Sequence, residues 1–123
     1  MDTLYDKIGG APVVDQLVDR FYEKVLDDPL LSPFFRQTSM ETLRRMQKVF
    51  LTVALGGPEP DLKVSLYEIH RDRGIQRQHL TRFTELLLET LTEIGVPEKE
   101  AGEVISRVAT YSNDILGETA VDG

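Results

Sequence analysis

The sequence predicts an all-α domain. Three observations carry that expectation. Apolar residues recur at spacings of three and four through most of the chain, the period of an amphipathic helix. Glycine and proline fall between those runs rather than inside them. No stretch shows the alternation of a half-buried strand, and there is no internal repeat or low-complexity segment.

The elements follow in order. Thr3 can cap a short first helix that stops at Gly9 and Gly10. Pro12 suits the first turn of a second helix, along which Val14, Val18, Phe21 and Val25 form an apolar stripe. "DDPLLSPFF" interrupts it, because Pro29 and Pro33 prevent a regular helix. Ser39 is a good cap for a third helix from about Met40 to Leu55, with Leu43, Met46, Phe50 and Val53 on its inner face. "GGPEP" ends it. Leu62 to about Asp72 reads as a short helix closing near Gly74. A long helix starts between Ile75 and Gln78 and reaches Ile94, with Leu80, Phe83, Leu87 and Leu91 inward and Gly95 as the stop. Pro97 opens a last helix, with Ala101, Val104, Ile105, Val108 and Ile115 along its buried face. Residues 1–117 make one domain; residues 118–123 carry no apolar stripe and are expected to fray.

At 123 residues the chain is large enough to bury its own core. It has 14 basic and 21 acidic side chains, a formal charge of -7, which repels phosphate backbones and argues against nucleic-acid binding. With no cysteine there are no disulfides, thiolate metal sites or cysteine nucleophiles. "MDTLYDKIGG" has neither the basic start nor the apolar run of a signal peptide, and no apolar run is long enough to span a bilayer. A cytoplasmic monomer is the expectation.

Three polar groups interrupt apolar stripes. His70 follows Leu62, Leu66 and Ile69 at helical spacing, Gln47 lies between Leu43 and Phe50, and Tyr22 sits beside Phe21. A buried polar group without a partner costs roughly 1–3 kcal/mol, so each needs something to bond. Taken singly, each is more often a satisfied core group: a Tyr with a wet hydroxyl, a Gln bonded to backbone, a His bonded to a carbonyl. Taken together, a phenol, an amide and an imidazole on three helices could converge on one cavity. A lone imidazole cannot build a structural zinc site. A haem needs only one protein ligand and an apolar slot. Phe34, Phe35, Phe50, Leu66, Ile69, Ile75 and Phe83 could supply the apolar side chains.

The motifs "LYDKIGG", "FYEKVLDDPLLSPFF", "QKVFLTVALGGP" and "IHRDRGIQRQHL" stand in the order and at the separations of a known family. From about Thr3 to Leu116 the chain resembles the truncated haemoglobins of group I. The resemblance implies a globin-like two-on-two helical sandwich with a shortened first helix around haem b (iron protoporphyrin IX). It implies His70 as the iron ligand, with Tyr22 and Gln47 as distal hydrogen-bond donors to bound dioxygen. It places Phe35 on the porphyrin face and Leu43 and Met46 at two further distal positions. Phe50, Leu66, Ile69, Ile75 and Phe83 line the pocket. His79 matches a second family histidine that opens the long helix, is not an iron ligand and reads as structural. Where some relatives carry Gln, His and a haem-linking His, this chain has Leu43, Met46 and Tyr111. The expectation is therefore a pentacoordinate ferrous iron and no covalent haem link. "PDLKVSLYEIH" is the weakest match, which predicts looser haem binding. Arg44, Arg45 and Arg73 are candidate propionate partners, but each reads more readily as part of a solvated charged face.

The implied ligands are dioxygen, nitric oxide and carbon monoxide. The first functional expectation is nitric oxide dioxygenation supported by an external reductase, since no reductase segment is visible in the chain. The alternatives are a non-enzymatic oxygen carrier, store or sensor with the same pocket, and a haem-free helical interaction module.

Overall fold

The computed structural model describes residues 3–35, 38–57 and 75–111. Among these residues every regular element is helical: α1 (Leu4–Ile8), α2 (Ala11–Asp27), a 3-10 turn (Ser32–Phe35), α3 (Met40–Ala54), α4 (Arg77–Glu93) and α5 (Glu98–Ala109). The short helix expected over Leu62–Asp72 and the tail beyond Gly117 lie outside the described residues, as does Ile115.

Local chemistry accounts for the boundaries. Thr3 closes a capping box on α1: its hydroxyl accepts the Asp6 N–H at 3.2 Å, and the Asp6 carboxylate accepts the Thr3 N–H at 3.5 Å. Gly9 turns the chain at φ 122, where a Cβ would overlap Val13. Proline in the first turn of α2 loses no helical hydrogen bond. The Ser39 hydroxyl accepts the Thr42 N–H at 3.4 Å at the start of α3.

The helices pack as two pairs, α2 with α3 and α4 with α5, which meet where α2 crosses α4 and α3 touches α5; α1 lies on α5. The core is the expected stripe of α2 with Leu17 added, joined by Leu86, Leu87 and Leu91 of α4 and Ala101, Val104 and Val108 of α5. Each fully buried Val, Leu or Phe contributes about 1.5–3 kcal/mol. Thr90 is buried too, its hydroxyl satisfied by the Leu86 carbonyl at 2.7 Å.

The inner face of α3 departs from expectation. Leu51 and Ala54 are its buried residues, while Met46 is 43% and Val53 40% exposed. The stripe 43–46–50–53 is split: Leu43 and Phe50 pack half-buried against the core, and Met46 and Val53 are exposed. The helix turns Gln47, Leu51 and Ala54 toward its neighbours and, among the described residues, leaves Met46 and Val53 exposed.

Polar ties hold the pairs together. Lys24 on α2 bridges Glu89 and Glu93 of α4 at 3.2 and 2.7 Å. Arg107 of α5 donates to the Ala54 carbonyl at the end of α3, at 3.1 Å. Asp28 ends α2 and is buried; one oxygen accepts the N–H groups of Leu30 and Leu31, and the other accepts from Arg82 of α4. No helix of the described residues is long and apolar enough to cross a membrane.

Candidate functional site

The helical pitch puts Tyr22 on the buried face of α2, one position beyond Phe21, and leaves it 1% exposed. Gln47 reaches it from α3: the amide Nε2 donates to the Tyr22 hydroxyl oxygen at 3.1 Å. Two of the three polar groups singled out from the sequence therefore meet. The phenol oxygen serves as acceptor here, so its own proton remains available to a further acceptor. Burial pushes the Tyr22 phenol well above the ordinary tyrosine range, and the Gln47 hydrogen bond opposes this only in part. Tyr22 is accordingly a neutral donor at any physiological pH.

Aromatic rings frame the pair. Phe35 meets Tyr22 edge-on at 5.8 Å, and Phe21 does so at 5.2 Å. Phe21 in turn packs on Phe83 of α4 at 4.6 Å. A packing gap too small to hold a water molecule lies beside them, lined by Leu17, Val18, Phe21, Leu51, Phe83 and Leu87, with Gln47 its one polar side chain. Leu43 and Phe50 are half-buried and pack against the core cluster, and Phe50 carries the Tyr111 ring on its edge at 5.1 Å. Ile75 is half-buried just before α4. His70, Leu66 and Ile69 lie outside the described residues, as does Arg73.

Arg44 is turned to the outer side of α2, with its Nε 3.7 Å from Asp19, and Arg45 is exposed. The Asp28–Arg82 tie was not legible in the sequence: nothing local marks two residues so far apart as partners. The Arg82 guanidinium holds the Asp28 carboxyl below the usual carboxylate range, helped by the Leu30 and Leu31 amides and opposed by desolvation.

The chain matches the model of the Bacterial-like globin family over residues 3–116. It is 38% identical to the Group 1 truncated haemoglobin GlbN of Synechocystis sp., over 96% of this chain and 100% of that protein. The chain belongs to the group 1 truncated haemoglobins. The Group 1 truncated haemoglobin of Tetrahymena thermophila is 34% identical over 94% of this chain and 95% of its own length. Among solved structures, the Fe(III) truncated haemoglobin of Tetrahymena pyriformis superposes with a TM-score of 0.89 at 32% identity, covering 93% of this chain and 97% of that one. The 2/2 haemoglobin of Synechococcus sp., solved in the cyanomet state with covalently attached haem, gives 0.88 at 34% identity, covering 94% and 99%. The two-on-two helical sandwich expected from the sequence is thus the fold of this truncated haemoglobin.

Membership implies a haem cofactor and diatomic gas ligands. The described wall of the site fits a haem. Met46 and Val53 form an exposed apolar strip on α3, flanked by Leu43 and Phe50, which pack half-buried against the core cluster. Such a strip, in the same helix as the amide that holds the buried phenol, suits a flat apolar cofactor with a small polar ligand above it.

Proposed function

We propose that this truncated haemoglobin binds haem b through His70 and holds dioxygen with Tyr22 and Gln47, serving nitric oxide detoxification in the cytoplasm with an external reductase. When bound, haem would supply the iron at which dioxygen, nitric oxide or carbon monoxide coordinates, and the one electron, restored by the external reductase, that takes dioxygen and nitric oxide together to nitrate. The chain's residues supply the polarity and the dryness. The observation that carries the reading is the direction of the Gln47–Tyr22 hydrogen bond. The amide holds the phenol oxygen in place, and burial keeps the phenol protonated. The O–H of Tyr22 is therefore a pre-oriented donor whose alignment costs little when a ligand arrives. Leu43 has no polar atom with which to compete, and the close-packed apolar side chains around Gln47 leave no space for water.

The test loads the full chain with haem, oxygenates the ferrous protein and mixes it with nitric oxide. The expected result is nitrate, formed stoichiometrically with haem, with a smaller yield in Tyr22→Phe. A chain that stays colourless after haem supplementation overturns the haem reading. A coloured protein that binds oxygen and forms no nitrate overturns dioxygenation and leaves a carrier or sensor.

A further inference from the structure

His79 is the histidine that the ligand chemistry leaves over, and its imidazole is engaged twice. It stands half-buried in the first turn of α4, where its Nδ1 accepts the Gln76 backbone N–H at 2.8 Å. That amide is one of the donors which a helix start leaves without an intrahelical partner. An acceptor at Nδ1 places the ring proton on Nε2. The ring itself packs on Phe34, with centroids 4.7 Å apart and planes at 76°.

Phe34 precedes Phe35 in the 3-10 turn Ser32–Phe35, and Phe35 rests edge-on against Tyr22. The same connection is tied to α4 a turn further along, where Arg82 binds Asp28. The first turns of α4 thus grip the α2–α3 connection at two points. The second is polar and acts on its beginning; the first is aromatic and acts where it carries Phe35.

We propose that His79 is a positioning residue for the distal hydrogen-bond pair: its ring, oriented by the Nδ1 bond, fixes Phe34, and the 3-10 turn passes that constraint through Phe35 to the Tyr22 ring. The inference rests on the reading of Tyr22 as donor to a diatomic ligand. A residue that only capped α4 would set the stability of that helix and would leave the chemistry at Tyr22 untouched.

The two roles separate by substitution. His79→Gln keeps a side-chain acceptor of the kind that caps helices from this position and loses the ring. His79→Phe keeps a ring and loses the acceptor. Phe34→Leu leaves the His79 cap and removes its aromatic partner. Each variant is prepared as the haem-loaded full chain with carbon monoxide as probe. The infrared C–O stretch reports hydrogen bonding to the ligand, and the thermal midpoint reports stability.

His79→Gln and Phe34→Leu are expected to move or split the C–O band. They should also release oxygen roughly three-fold faster, as befits partial loss of one hydrogen bond. His79→Phe, which keeps a ring on Phe34 but loses the bond that orients it, is expected to move the band less than these two and to lower the thermal midpoint most. A parental band in Phe34→Leu overturns the proposal, even where His79→Gln fails to take up haem; a parental band in His79→Gln does the same. Tyr22→Phe is the control. If it leaves the band unmoved, the donor reading itself has failed and the positioning role falls with it; if it moves the band and the other two do not, only the positioning role is lost.

Discussion

Replacing Tyr22 by Phe removes one buried oxygen and nothing else of the ring's shape, so the aromatic contacts with Phe21 and Phe35 are kept. What is lost, on the function proposed above, is the donor to a bound ligand. A hydrogen bond to a charged or strongly polarised acceptor contributes about 1.5–3 kcal/mol. At about 1.4 kcal/mol per factor of ten, Tyr22→Phe should speed oxygen release roughly ten- to a hundred-fold. Gln47 acts at one remove, since its amide donates to the phenol oxygen at 3.1 Å. Losing a neutral bond of about 0.5–1.5 kcal/mol, Gln47→Leu should speed release only roughly two- to ten-fold. Because Gln47 works through Tyr22, the double variant should release oxygen about as fast as Tyr22→Phe alone. Stopped-flow measurement of oxygen dissociation in the parent, both singles and the double closes the cycle. Fully additive effects would mean that the amide reaches the ligand independently. Unchanged rates in all three variants would refute the hydrogen-bond geometry of the site.

His70→Ala should lose haem or bind it far more weakly while His79→Ala retains it, as read by the Soret band on haem titration. Asp28→Ala should cost about 2 kcal/mol in urea denaturation, because the Leu31 N–H is left buried without its acceptor. The folded-state pKa of Asp28 is lowered, so its contribution is present above the ordinary carboxylate value and is lost as pH falls through the folded one; Asp28→Asn should therefore flatten the acid limb of a stability–pH curve. Gly57→Ala would set a Cβ 2.8 Å from the Tyr5 ring and should cost about 1–3 kcal/mol. Gly102→Ala, inside α5 with no atom within 4 Å of the new Cβ, should instead raise stability by about 0.5–1 kcal/mol. A thermal melt of each pair decides the sign.

The helices were legible because their causes are local. The caps at Thr3 and Ser39, the glycine corner and the three-and-four spacing act within a turn or two of chain, and α1 to α4 lie within a few residues of where those signals put them; α5 starts after Pro97 as expected but closes at Ala109, short of the expected reach to Ile115. The motif set carried the family, and with it Tyr22 and Gln47 as a pair. Periodicity, however, states only that a helix has an apolar side, not what that side will meet. On α3 the spacing could not show that Leu51 and Ala54 would face protein while Met46 and Val53 would remain open. The Asp28–Arg82 tie and the packing of His79 on Phe34 join segments that are distant in the chain and whose separate surroundings look ordinary. Such contacts depend on how whole helices rotate and slide against one another. That choice is made by the packing of all the buried side chains together, so only the tertiary structure could decide it.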